Sequence, residues 1–370
     1  SELMSYIYND SPSINAFVMS ELTSSELPDI DVAEIDSYTD VLAVEVSSTR
    51  AVVLTDSRIH LFDISNKDNV VTLDSVSHDN NRDLLLNGHY LYAIGQPGLE
   101  VFSIENDKLE LVGSKDSDIP GTKLAFANGF LITYGVNNQI RVIQLDDPAS
   151  PQFLTGGYLN VSDMFGVNQV IYDEERDWLV VAGNGIGSEV PFTAMRIYNF
   201  AKPSNIIPLS GAEYTAYVNA TGVAIQDDYL YLGGENGSLR VFDISTVSEP
   251  TIIRTVSIPS YLTSIEKHNN TLLLTSGAPE SPRGSYLISV SLEAPANPTV
   301  ISRYNAVGVP HDVEVSNDVA FLTTTSIGKV KRFELNDSQD YAVISEIALP
   351  LTTSLDVEGN RCYVTLESDN

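Results

Sequence analysis

Cysteine is almost missing from this chain. Cys362 stands alone, which excludes an internal disulfide and any thiolate metal cluster. It lies in the apolar pattern Cys362-Tyr363-Val364, where a small buried hydrophobe is expected rather than a nucleophile. Basic residues are also scarce: 20 Lys and Arg face 50 Asp and Glu, for a net charge of −30. Such a field repels phosphate backbones, so nucleic acid and anionic membrane surfaces are poor partners, and the acidity itself reads as a solubility device. No apolar run approaches the roughly 18 residues needed to cross a bilayer, which argues against membrane insertion. Ser1 to Asp10 lack the basic start and apolar stretch of a signal peptide, so any export signal is either already removed or absent. Enzyme signatures are missing too. There is no Gly-x-Ser-x-Gly nucleophile elbow, no His-Glu-x-x-His and no phosphate-binding Gly-x-x-x-x-Gly-Lys-Ser/Thr. The Asp-x-Asp/Asn-x-Asp/Asn-Gly loop of an EF-hand is not found either, so no cofactor is expected. The carboxylate surplus leaves room for one Ca2+ or Na+ without a motif to place it.

What the chain does contain is a repeat. Its clearest unit is Leu239-Arg240-Val241-Phe242-Asp243-Ile244-Ser245, followed by a Ser248-Glu249-Pro250 turn and a second β-branched run at Thr251-Ile252-Ile253. The phrase returns as Ile59-His60-Leu61-Phe62-Asp63-Ile64-Ser65, and as Ile140-Arg141-Val142-Ile143-Gln144-Leu145 ahead of Asp146-Asp147-Pro148-Ala149-Ser150-Pro151. Weaker copies begin at Phe17, Leu99, Met195, Leu287 and Val330, so the eight starts recur every 40 to 55 residues. Upstream of each copy lies a hairpin with a tight polar turn, such as Asn87-Gly88, Asn128-Gly129 or Asp227-Asp228. Each unit therefore reads as four antiparallel strands: inner, second, third carrying the phrase, and outer. No amphipathic helical stretch interrupts them.

The phrase and its Pro-spaced turn resemble the LVIVD repeat, best over Leu239 to Pro250, with the turn matched again at Ile140 to Pro151 and the Pro spacing at Glu293 to Pro298. Several copies depart from it: Leu99 to Asp107 has no Pro, Lys329 to Asp337 is charged, and Asn199-Phe200 replaces Asp-Ile. The resemblance implies a β-propeller, often extracellular in bacteria and archaea, serving recognition, and it carries over no catalytic residue. An all-β, eight-bladed propeller with four-stranded antiparallel blades is the expected fold, as one domain over residues 1–370, with 1–13 a possible extension. Seven complete units run from about Val41 to Pro350. The ends, Ile14 to Ile35 and Thr353 to Glu367, each offer two strands, so the N- and C-terminal strands are expected to share one blade and close the ring. The WD40 propeller is the nearest rival, weakened by the single Trp178 and by the want of a recurring Gly-His.

Propeller sites gather where loops enter the inner strands. The polar residues opening those strands are the channel-mouth candidates: Asp40, Arg82, Asp83, Asp163, Thr221, Thr263, His311, Asp312, Thr353 and Ser354. Adjacent His311 and Asp312 point to opposite faces of a strand, so at most one reaches the channel. Two long loops on the same face add Asn184, Ser188 and Glu189 in one, and Glu280 and Arg283 in the other. Glu174, Glu175 and Asp177 form an acidic cluster in a hairpin turn, for which solvation is the ordinary account. The expected function is a non-catalytic recognition or scaffold propeller at the cell surface or secreted, binding a protein or glycan through its loop-rich face. The alternatives are a lactonase- or hydrolase-type enzyme with a metal at the channel mouth, and a cytoplasmic WD40-like scaffold.

Overall fold

The computed structural model describes residues 16–19, 32–34, 41–47, 49–55, 57–66, 70–96, 98–116, 121–135, 139–161, 164, 166–184, 192–216, 219–277, 284–306, 308–316, 319–324, 329–335, 343–348, 352–358 and 361–366. Its strands form four-stranded antiparallel sheets, as the repeat demands, and the arrangement is a β-propeller. Seven blades are each built from four consecutive strands: blade one (residues 41–77), two (79–116), three (123–160), four (166–216), five (220–257), six (262–305) and seven (310–348). That is one fewer than the sequence count of eight. The difference lies in the chain ends, which hold no complete unit.

There Thr352–Glu358 and Arg361–Leu366 pair with each other, and Arg361–Leu366 takes Ala16–Met19 along its other edge, Phe17 opposite Val364. Val32–Glu34 completes this end sheet. Its inner strand, Thr352–Glu358, packs against the inner strands of both blade seven and blade one. The edge of Arg361–Leu366 is thereby covered by main-chain hydrogen bonds.

The repeated phrase has a mechanical reason. In blade five the strand Ser238–Asp243 ends where the Asp243 carboxylate accepts the Ser245 N–H at 2.9 Å and its hydroxyl at 2.6 Å, which closes the turn. Ile244 behind it is buried, and its N–H bonds back to the Asp228 carbonyl in the blade's first hairpin. Asp63 with Ile64 in blade one does the same, Ile64 reaching the Thr49 carbonyl. Asn199-Phe200, a departure by sequence, is no departure by geometry: Asn199 accepts the Ala201 N–H, and buried Phe200 reaches the Asp177 carbonyl.

The core lies between blades as successive slabs. Between blades five and six, Ala224, Tyr231, Leu239 and Val241 meet Leu262, Ile265, Leu272, Leu274 and Ile288, all buried. Similar slabs join blades one to two, two to three, three to four, four to five and six to seven. No blade can hide both of its apolar faces alone, so radial stacking follows from the alternation within each strand.

Candidate functional site: two mouths of one channel

The inner strands, in blade order Val41–Ser47, Asp79–Asn87, Lys123–Ala127, Gly166–Asp173, Ala220–Gln226, Leu262–His268 and Pro310–Ser316, then Thr352–Glu358, ring the axis. All but that of blade three carry a register shift near the start: Val41/Ala43, Asp79/Asp83, Val167/Gln169, Ala220/Gly222, Leu262/Ser264, Pro310/Val313 and Thr352/Ser354. A bulge leaves the skipped residue outside the ladder and re-aims it. The skipped residues are Leu42, the run Asn80 to Arg82, Asn168, Thr221, Thr263, His311 with Asp312, and Thr353, all at one level of the mouth.

Six of the sequence candidates, Arg82, Thr221, Thr263, His311, Asp312 and Thr353, thus belong to one ring. Arg82 is exposed. Thr263 bonds Thr275 at 2.7 Å, and Asn168 donates to the Ala220 carbonyl at 2.6 Å and to the Asn184 amide oxygen at 2.7 Å. Asn184 is therefore brought to the ring by Asn168, a residue the sequence reading passed over. Asp40, Asp163, Ser188, Glu189, Glu280 and Arg283 lie outside the described residues.

Asp83 is corrected from mouth residue to wall residue. Past the bulge, its carboxylate accepts the Leu124 N–H of the next blade at 2.8 Å, and burial pushes its pKa up. The same device recurs in two tiers. Gln169 accepts the Val223 N–H at 2.7 Å at Asp83's level, while one level deeper Glu45 accepts Leu86 N–H at 3.2 Å and Asp356 accepts Val46 N–H at 2.7 Å. The free edge of an inner strand would otherwise leave these N–H groups unpaired, and each is satisfied from the preceding blade. Burial raises the Glu45 pKa to about 8, helped by the neighbouring charges of Asp356 and Asp83 and opposed by its bond to Leu86.

Register reveals a further asymmetry. The third residue pair from each inner hairpin carries Leu85, Ala125, Ile171 and Ala224 on blades two to five, but Glu266, Glu314, Asp356 and Glu45 on the next four sheets round the ring. One half of the channel wall is apolar at this level and the other half is acidic.

The opposite mouth, ringed by the inner hairpins, opens into a cavity of about 780 Å³ between blades four, five and six. Its floor includes Ile171, Ala224 and Ile265, and its rim carries Glu174, Glu175, Asp227 and Glu266. Arg176 ties two of the hairpins, pairing with Asp173 at 2.7 Å and Asp228 at 3.7 Å and donating to the Asp227 carbonyl. It also lies 5.5 Å from the Trp178 ring centre. Tyr172 donates to Asp177 at 2.6 Å, and burial with that bond pushes its pKa to about 12. Glu174 and Glu175 of the acidic cluster are thus cavity wall, on the face away from the candidates. Among the described residues no three His, Cys, Asp or Glu side chains converge as metal ligands. Cys362 is buried, and burial pushes its thiol pKa up, as suits a core residue.

Residues 219–258, blade five, match the LVIVD repeat. No curated protein matches the chain in sequence. Among solved structures, the computationally designed Ika8 protein is similar with a TM-score of 0.66 at 13% identity, over 89% of this chain and 94% of that one. Saccharomyces cerevisiae Sqt1 gives 0.67 at 10% identity, covering 90% and 97%. Chaetomium thermophilum Sqt1 bound to the N-terminus of the ribosomal protein L10 gives 0.62 at 11% identity, covering 89% and 97%. At such identities the likeness is one of fold.

Proposed function

We propose that this protein is a non-catalytic recognition propeller, secreted or at the cell surface, that binds a protein or glycan at its bulged mouth. The observation that carries the reading is the bulge ring: the inner strands of all but one sheet expel residues at the same level, chiefly amides and hydroxyls suited to hydrogen-bonded recognition. The likeness to a propeller solved with a peptide terminus bound supports a protein ligand. The whole chain is then a propeller of LVIVD repeats. Fold likeness to Sqt1 also supports a second reading, an intracellular WD40-like scaffold. Locating the tagged full-length gene product separates the two.

Arrays of glycans and of proteins probed with the whole chain, and again with a triple Asn168→Ala, Thr221→Ala, Thr263→Ala variant, test recognition at this mouth. Ligands held by the parent and lost by a variant of equal melting temperature support it. Equal binding by both moves the site elsewhere, and a stoichiometric divalent ion with lactone or ester hydrolysis replaces the reading with an enzyme.

A further inference from the structure

We infer that the cavity at the hairpin mouth is a second binding site, taking a lysine- or arginine-bearing segment of a partner protein. The inference rests on the recognition reading only in naming a protein partner. It uses the opposite mouth and different residues.

Three observations meet there. The cavity is roomy, about 780 Å³, enough for a few extended residues. It straddles the boundary between the two halves of the channel wall, with Ile171 and Ala224 from the apolar half and Glu266 from the acidic half. Gln226 in its wall gives its amide N–H to Asn270 at 2.9 Å, while its Oε1 is buried and accepts no hydrogen bond. A small turn of the Gln226 side chain would offer that oxygen to an entering donor.

The chemistry of this wall selects the occupant. Lysine and arginine carry an apolar stem and a cationic head, and each part finds its complement here: stem on Ile171, Ala224 and Ile265, head toward Glu266 and Asp227. A glycan offers no cation for the rim, and an acidic or phosphorylated segment would be repelled by five lining carboxylates, Asp173, Glu174, Glu175, Asp227 and Glu266, set against two cations, Arg176 and Lys267. Glu314 and Asp356, at the same level on the next two sheets, extend the attraction round the ring. Overall charge brings basic segments near, and the cavity gives them a place to dock.

The test uses the full chain and a fluorescent, end-capped peptide of alternating alanine and lysine, with the same peptide acetylated on its lysines as control, read by anisotropy at 0.15 M salt. That ionic strength screens charges beyond about 8 Å, so general acidity contributes little. Expected is saturable one-to-one binding of the lysine peptide, at least about tenfold weaker for the acetylated one, and a similar loss in Glu266→Gln. Glu175→Gln, on the exposed hairpin, serves as a second variant should Glu266→Gln melt early. Glu110→Gln, exposed on the outer strand of blade two, removes the same charge elsewhere and leaves binding within about twofold. No binding, or equal losses from Glu110→Gln and Glu266→Gln, overturns the inference and leaves the bulged mouth untouched. Retained peptide binding in the triple bulge variant separates the two sites.

Discussion

The seam between blades five and six and the seam between the end sheet and blade one differ in chemistry where their inner strands meet. At the former the inner-strand residues that meet are Ala224 and Ile265, inside a wholly apolar slab with Tyr231, Leu272 and Leu274. At the latter Asp356 reaches across to the Val46 N–H, and beyond it Glu45 reaches on to Leu86. An apolar seam is held by area and packing, which pH hardly touches. A carboxylate seam satisfies the free edge of the next strand but brings charge into a poorly hydrated wall. The contrast explains why the channel is two-faced: its acidic half consists of sheets whose wall position carries a carboxylate, and its apolar half of sheets that lack one there.

Two truncations measure that difference most directly. Leu274→Ala at the apolar seam should cost about 2–5 kcal/mol, through lost burial and the cavity left behind. Asp356→Ala should cost about 1–3 kcal/mol, because the Val46 N–H is left unsatisfied. Denaturant melts of the two variants rank the seams. Should Asp356→Ala prove the costlier, packing is not what dominates and the closure of the ring rests on the latch.

Much of the fold was legible because the repeat phrase has a local cause. Asp243 closes its turn on Ser245 and Ile244 reaches Asp228 in the first hairpin of the same blade, so the phrase acts within one blade, and even Asn199-Phe200 performs the same closure with different letters. Pairing of Phe17 with Val364 could be anticipated because each chain end holds only half a unit. The bulge ring was half legible: polar residues open the inner strands, but Asn168 was missed, since blade four's inner strand begins at Gly166, after Asp163. The hairpin-mouth cavity escaped altogether. Glu174 and Glu175 look like a solvated turn when read alone, and only the juxtaposition of three hairpins some fifty residues apart makes them a wall. One signal was available: aligning the inner strands on their hairpins puts Ile171, Ala224 and Glu266 at one level.

Acidity sharpens the same comparison. Glu45 has its pKa raised to about 8 in the folded protein, while the unfolded chain keeps the ordinary 4.5, so the folded state binds the extra proton between those values. Stability is thus favoured at the acid end of this window and falls as pH rises through about 8. The groups facing Glu45 are Asp356 from the end sheet and Asp83 from blade two, both of which oppose its ionisation, with the Leu86 N–H favouring it. Glu45→Gln keeps an acceptor for Leu86 and cannot ionise. It should flatten the decline and be more stable than the parent at pH 8 by about 1 kcal/mol, a fraction of the full shift because the side chain is only partly enclosed. Melting curves from pH 5 to pH 8 check this, and a parent as stable at 8 as at 5 would refute it.

The smallest effect is expected where charge lies at the rim of an otherwise apolar seam. Blades four and five meet through Val180, Ile197, Val223 and Leu230, and Arg176 adds only a polar clasp across the exposed ends of their hairpins. Its pairs with Asp173 and Asp228 are partly open to solvent, and its contact with Trp178 is peripheral, so Arg176→Ala should cost less than about 1 kcal/mol. That cost should shrink further in 0.5 M salt, whereas the Leu274→Ala cost should hold or grow. A loss for Arg176→Ala as large as for Asp356→Ala, and indifferent to salt, would mean that the hairpin clasp holds the seam and the slab behind it does not. It would also imply that the cavity wall is set by this arginine, in which case the lysine peptide should lose affinity in the same variant.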